Sequence, residues 1–370
     1  MIKKKIAVAM SGGVDSSVAA ALLIEKGFEV IGLTMKLPAS EISADGKCCG
    51  SKAIDDARSV AAALGIPFYV INCQEQFDKQ VIDYFCGEYS RGRTPNPCVV
   101  CNKELKFGKL LDKAKELGAD SVATGHYARI DYDRSKGRYI LKKAKDRSKD
   151  QSYFLFSLTQ EQLKSAVFPL TEIIKDEARR LAAKLNIKVH DKKDSQEICF
   201  VDGKYQDFMK KRGVVSGFRP GNIIDREGNV VGEHQGLAYY TIGQRKGIGA
   251  HGALRYVTKI DAEKNALVIG GAEELMHKAI VVGNLNWIDR EELTSPLRAK
   301  VRIRYKHTEQ PALIEPASDG RVLVTFDSPQ RAPAPGQAAV FYDGDTVLGG
   351  GWIRQIKGAD ACGDIAFLFR

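Results

Sequence analysis

The stretch Ala9-Met10-Ser11-Gly12-Gly13-Val14-Asp15-Ser16-Ser17 decides how the rest of the chain is read. An apolar run of strand character over residues 6–10 leads into it. Residues 18–26 follow with apolar side chains at helical spacing until Gly27 stops the run. The order is strand, tight turn, helix. Two adjacent glycines let the backbone turn sharply and approach a ligand closely, and the N–H groups that open a helix point at any anion there. The serine hydroxyls add donors.

The Walker pattern is absent, so no loop lysine reaches the outer phosphates, and an acid, Asp15, sits inside the loop instead. An acid beside phosphates implies a metal ion. The stretch resembles the SGG-x-DS pyrophosphate loop of the ATP pyrophosphatase superfamily, whose members bind ATP, release pyrophosphate and leave AMP on a substrate oxygen. Two glycines alone would mark an ordinary Gly-Ser turn. The whole motif at the first strand-to-helix junction favours the phosphate cradle.

A chain of 370 residues is too long for one ordinary core, which predicts two or three domains. Lys and Arg number 56 against 46 Asp and Glu, a formal charge of +10, which favours a polyanionic partner, nucleic acid first. Nothing resembles a signal peptide or a bilayer span, so a cytoplasmic location with no membrane partner is expected. Eight cysteines in such a compartment are not a stapling framework, and those that cluster are candidates for thiol or metal chemistry.

Further along, residues 28–35 read as a second strand, and a polar loop with the vicinal pair Cys48-Cys49 follows. Residues 55–64 read as a helix and 67–71 as a strand, so β and α alternate as a doubly wound parallel sheet requires. Residues 122–124 run into Gly125-His126-Tyr127, which should lie at the carboxyl edge of the sheet, where such folds bind ligands. A lone histidine is usually structural; on a strand tip beside a glycine it is a functional candidate. The segment Arg93-Thr94-Pro95-Asn96-Pro97-Cys98-Val99-Val100-Cys101-Asn102-Lys103 reads as a proline-stiffened loop before a helix starting near Glu104. A thiol at a helix start is biased towards thiolate, which marks Cys101. No second C-x-x-C completes a zinc ribbon.

Lys149-Asp150-Gln151 is a polar cluster ahead of an apolar segment, residues 173–185 read as an amphipathic helix, and Cys199 stands alone among acids and apolar residues. From Lys204 glycines become frequent and helical periodicity fades, which marks a domain boundary. Beyond Ile280 an all-β module is expected. Residues 300–306 alternate strictly, so Val301, Ile303 and Tyr305 should face a core while Lys300, Arg302, Arg304 and Lys306 form a cationic stripe. A solvated edge protected by lysines would look the same.

Taken together, SGGVDSS, TPNPC-x-x-CN, ATGHYAR, KDQSYFL, SQEICFV, YTIGQRKGIG and the final P-x-P-GQ-x-x-VFY resemble the bacterial tRNA-uridine 2-sulfurtransferases, the 2-thiouridylases of the wobble uridine. The motifs occur in order over nearly the whole chain. The resemblance implies an α/β fold: an N-terminal doubly wound parallel sheet of the PP-loop ATP pyrophosphatase type (1–203), a small central β-rich domain (204–280) and a C-terminal β-barrel that binds tRNA (281–370). It implies ATP on Ala9, Met10, Ser11, Gly12, Gly13, Val14, Asp15 and Ser16, with Met35 and Gly125 at the adenosine and Asp15 helping to position Mg2+. The uridine O2 would be adenylylated and then replaced by sulfur. Cys199 matches the persulfide carrier, loaded by a cysteine desulfurase or sulfur-relay protein, and Cys101 matches the nucleophile that ends as its disulfide partner. The positions matching tRNA contacts are Asn96, Pro97 and Cys98 at the target base, then His126, Lys149, Asp150, Gln151, Arg304, Tyr305 and Gln337.

One departure stands out. Where family members carry an aspartate three residues before the nucleophile, this chain has Cys98. Either proton transfer falls to another group, with Cys98 a small neighbour or stand-in base, or Cys98, Cys101 and Cys199 hold a 4Fe-4S cluster in an iron–sulfur variant of the same thiolation. The competing function classes are another PP-loop ATP-dependent ligase and an RNA-binding regulator without turnover. The first explains neither the basic β modules nor the paired cysteines.

Overall fold

The computed structural model describes residues 3–38, 51–185, 187, 198–201, 203–249, 252–317 and 319–357. The Cys48-Cys49 pair and residues 194–197 lie outside them. The chain forms two compact units. One comprises Met1–Ile82, Pro97–Gly203 and Asp345–Val347; the other comprises Asp83–Asn96, Lys204–Gly344 and Leu348–Arg370.

In the first unit, β1 (Lys5–Ala9), β2 (Glu29–Lys36), β3 (Phe68–Asn72) and β4 (Ser121–Ala123) precede the hairpin β5 (Ala128–Asp133) and β6 (Arg138–Lys143), and β7 (Ala166–Val167) comes last. Five of these strands make a parallel sheet in the order β3-β2-β1-β4-β7. Ile6, Ala7 and Val8 are buried in succession, as a strand covered on both faces requires. The expected doubly wound α/β sheet is therefore present. From β1 the chain steps outward to β3 and then returns to β4 on the other side. That reversal opens a crevice beyond the carboxyl ends of β1 and β4, the place where such sheets bind ligands.

The helix expected to start near Glu104 starts earlier. Pro97–Val100 is α-helical, Cys101–Lys109 continues as a π-helix, and Leu110–Glu116 returns to α. Pro97 opens it because a first helical position needs no N–H partner and a proline presets its φ. The π-helical run leaves main-chain carbonyls for other donors, and Gln162 Nε2 donates to Lys103 O at 2.8 Å and Phe107 O at 3.1 Å.

In the second unit, β8 (Gly221–Ile224), β9 (Val230–His234), β10 (Tyr256–Asp261) and β11 (Ala266–Gly270) form a small sheet in the order β10-β11-β8-β9. It closes over Ile223, Leu237, Val257, Leu267 and Ile269. Six strands follow: β12 (Met276–Trp287), β13 (Leu297–Arg302), β14 (Gln310–Pro316), β15 (Val322–Arg331), β16 (Ala338–Asp343) and β17 (Thr346–Lys357). Pairing of β12 with β17 closes them into a barrel around Ile280, Val301, Ile314, Val324 and Phe341. Closure removes the sheet edges.

One expectation is corrected here. The strand at residues 300–306 ends at Arg302, so only Val301 and Ile303 of the predicted inward set are buried, and Tyr305 lies in the turn that follows. Arg302 folds back across that turn, donating to Tyr305 O with its guanidinium 5.3 Å from the ring centre. The strict cationic stripe is broken.

Candidate active site

The pyrophosphate-type loop is fixed from three sides. Met10 N–H donates to Leu33 O at 2.7 Å, and Thr34 Oγ1 donates to Met10 O at 2.8 Å, which ties the loop's start to β2. Gly12 has φ +66°, and a Cβ there would stand 2.4 Å from Ala53 O, so no other residue fits. Ser16 Oγ accepts from Ser11 N–H at 3.2 Å, and Ser17 Oγ donates to Gly13 O at 2.8 Å. No side chain caps the helix Val14–Glu25, so its first amides face the crevice as an anion site would need. Gly125, at the tip of β4, packs directly beneath, for a Cβ would meet Asp15 C and Ser16 N at 2.7 Å. Met35 is buried at the carboxyl end of β2.

Asp15 is the hub of a network that sequence reading missed. Lys175 Nζ donates to Asp15 Oδ1 at 2.8 Å and to Oδ2 at 2.7 Å, and Tyr127 Oη donates to Oδ1 at 2.9 Å. Tyr127 is held in turn by Gln151, whose N–H donates to Tyr127 O at 2.8 Å and whose Oε1 accepts from Tyr127 N–H at 3.1 Å. The one available signal was Lys175 itself, a cation at the N-terminus of a helix, where the dipole opposes it.

Both oxygens of Asp15 are thus engaged by an ammonium. Among the described residues no group of three or more His, Cys, Asp or Glu side chains is placed to hold a metal ion. As arranged, Asp15 is committed to Lys175 and not turned to the Mg2+ expected on it, and Cys98, Cys101 and Cys199 do not form a group placed to hold a 4Fe-4S cluster.

His126 is buried between Phe107 and Phe168, with ring centres 6.4 and 6.0 Å away, and its Nδ1 lies 2.7 Å from Thr124 Oγ1. Burial first, and Lys106 second, push its pKa well below the usual 6.5, so the ring is neutral. Asp150 is interior too, accepting from Ala144 N–H at 3.1 Å and Ser152 Oγ at 2.8 Å. Of the Lys149, Asp150 and Gln151 run, two members thus hold the protein's own backbone or side chains.

The five described cysteines are thiols. Cys73 is buried and its pKa is raised by desolvation; Cys86 is pushed up to about 11 by the same cause. They are core residues. Cys98 is exposed, in the first turn of the helix that Pro97 opens, and Cys101 sits at the change from α to π geometry. The turn of Cys199 is anchored by Phe200, whose ring meets Phe77 edge-on at 5.4 Å. Phe77 belongs to the helix Gln74–Phe77, which also packs against Cys101–Lys109, so both thiols are carried by segments resting on one short helix.

The remaining predicted positions lie in the second unit. Gln337 Nε2 donates to Thr94 O at 3.0 Å and Pro95 O at 3.2 Å, Thr94 N–H donates to Pro335 O at 2.8 Å, and Asn96 is buried next in line. Gln337 is therefore a clamp on the loop that carries Asn96. Arg304 and Tyr305 are half-buried in the turn after β13.

Residues 4–203 match the family described as tRNA methyl transferase HUP domain, 206–271 its PRC-barrel domain, and 277–353 the aminomethyltransferase beta-barrel domain. The tRNA-specific 2-thiouridylase MnmA of Acetivibrio thermocellus is 50% identical over 360 residues, 96% of this chain and 100% of that protein. The chain belongs to the tRNA-specific 2-thiouridylase family. Its counterpart in Heliobacterium modesticaldum is 50% identical over 357 residues, 95% of this chain and 93% of that protein. That of Symbiobacterium thermophilum is 51% identical over 363 residues, 96% of this chain and 93% of that protein. As a tRNA-specific 2-thiouridylase the chain is a sulfurtransferase that thiolates uridine in tRNA. Among its described residues no helix is long and apolar enough to cross a membrane.

Proposed function

We propose that the chain thiolates the wobble uridine in two steps, with activation on the loop of residues 9–16 and sulfur delivery by Cys199 and Cys101. The observation that carries this reading is that the loop and both thiols belong to one compact unit. ATP lies on Ala9 to Ser16 with Met35 and Gly125 beside the adenosine. The uridine O2 attacks the α-phosphorus and pyrophosphate leaves. Oxygen is a poor leaving group at C2, whereas AMP is a good one, so the step prepares C2 for sulfur.

The thiolate of Cys101 then attacks Sγ of the Cys199 persulfide. The terminal sulfur departs as hydrosulfide and adds to C2, AMP leaves, and a Cys101–Cys199 disulfide remains for a thiol reductant to reopen. The two-electron oxidation is stored in the persulfide, so no other oxidant is needed. The donor is a cysteine desulfurase or sulfur-relay protein, and the reaction takes place in the cytoplasm. Residues 1–203 form the catalytic domain, 204–280 the central domain and 281–370 the domain that binds tRNA. Asn96, Pro97 and Cys98 meet the target base, with Arg304 and Tyr305 on the RNA backbone. Gln337 acts by holding the Asn96 loop.

Cys199→Ser tests the order of steps. Pyrophosphate release that depends on tRNA should continue while thiolation stops, because the carrier is needed only after activation. Sulfur incorporation at the normal rate in this variant would refute the carrier role.

A further inference from the structure

The loop of residues 9–17 has no lysine and carries a carboxylate of its own, yet the ATP proposed to lie on it brings several negative charges. We propose that Lys175 is the phosphate cation of this site: its ammonium engages the β- and γ-phosphate oxygens of ATP and stabilises the charge that collects on pyrophosphate as it departs. The assignment rests on ATP being the activating substrate.

Lys175 is 7% exposed and is the first residue of the helix Lys175–Lys184. Burial and the helix dipole both disfavour a cation there, and only a strong anionic partner offsets the two. Asp15 is that partner, with both oxygens within 2.8 Å of Nζ. Asp15 is also in the first turn of the uncapped helix that closes the phosphate loop, so the ammonium stands one hydrogen bond from the turn that faces the phosphates. Alone, Asp15 would repel them; paired, it does not.

The placement is held from several directions. Lys175 N–H donates to Asp146 Oδ2 at 2.9 Å, and Tyr127 Oη fixes the Asp15 carboxylate. A surface ion pair has no use for such support. In the reaction, the bond from uridine O2 to the α-phosphorus forms as the bond to the bridging oxygen breaks, and that electron pair leaves with pyrophosphate. The N3 proton passes to solvent. Lys175 takes no part in proton transfer and donates hydrogen bonds to the oxygens that gain charge.

The test compares ligands that differ in their phosphates. ATP, pyrophosphate, AMP and tRNA are titrated into wild type, Lys175→Met and Lys175→Arg. Lys175→Met should weaken ATP and pyrophosphate by roughly tenfold or more and leave AMP and tRNA unchanged, the size expected for a lost charge-assisted hydrogen bond. Lys175→Arg, which preserves the ion pair with Asp15 and hence the fold, should retain part of the affinity. Equal loss of AMP and ATP would make Lys175 a merely structural residue, and undiminished pyrophosphate binding in both variants would overturn the assignment. Failure of the wild type itself to bind ATP would instead overturn the reading on which the assignment rests.

Discussion

Removing the carboxylate of Asp15 would strand the buried ammonium of Lys175. Asp15→Asn should therefore lower stability by about 1–3 kcal/mol, less than for a fully buried pair because the Asp15 side chain is 31% exposed. It should also abolish tRNA-dependent pyrophosphate release while tRNA affinity stays within about twofold. Denaturant melts and filter binding measure the two, and a parallel loss of tRNA binding would contradict the separation of roles. His126 gives a pH signature. Its folded pKa lies below the unfolded value of 6.5, so protonation favours unfolding. Its stabilisation is complete above about pH 6.5 and is lost as the pH falls towards the folded pKa. His234, His277 and His307 are shifted the same way by burial. His126→Asn should reduce the slope of stability against pH below that point by up to about 1.4 kcal/mol per unit, one proton's worth. Urea melts at about pH 7.5 and 5.5 check it, and an unchanged slope would show that His126 takes up its proton as readily in the folded state as in the unfolded one. Neither residue's environment is wholly local in sequence, since Asp15 meets Lys175 from 160 positions away and the rings of Phe107 and Phe168 enclose His126.

The element between residues 93 and 109 shows how far local patterns reach. Its prolines and its C-x-x-C spacing were legible, and they located the segment that carries both Asn96 and Cys101. The helix start was misplaced because Pro97 reads as a loop former, whereas the fold uses it as a first helical residue. The π-helical run was illegible because the amide that takes its carbonyls comes from Gln162, 59 residues beyond Lys103. Strand β13 likewise ended where Arg302 found a partner in Tyr305, which alternation does not encode. The clamp on this element is testable. Gly336 has φ +89°, and a Cβ there would stand 2.9 Å from Thr94 O. Gly336→Val should cost about 1–3 kcal/mol of stability and displace the Asn96 loop, lowering thiolation at least roughly tenfold with ATP affinity unchanged. A thiolation rate near that of the wild type would show that the loop does not depend on the clamp.

At the scale of the whole molecule, the excess of ten positive charges and the closed barrel suit a polyanionic substrate. The alternation of β and α and the ordered motifs made the parallel sheet and the barrel readable in advance. The grouping of Asp83–Asn96 with the second unit was not, because it arises from packing such as Tyr89 on Tyr205 at 4.3 Å between ring centres. Arg304→Ala should weaken tRNA binding and reduce the slope of log affinity against log salt by about 0.7–0.9, one phosphate contact. An unchanged slope would assign Arg304 to solvent. The most direct measurement of the central claim is nucleoside mass spectrometry of tRNA incubated with the purified protein, ATP and a persulfide donor, with pyrophosphate and AMP counted alongside. The account predicts 2-thiouridine at the wobble position, with one pyrophosphate and one AMP for each sulfur, and none when ATP is left out. Thiolation that proceeds without ATP, or pyrophosphate release with unaltered uridine, would contradict it.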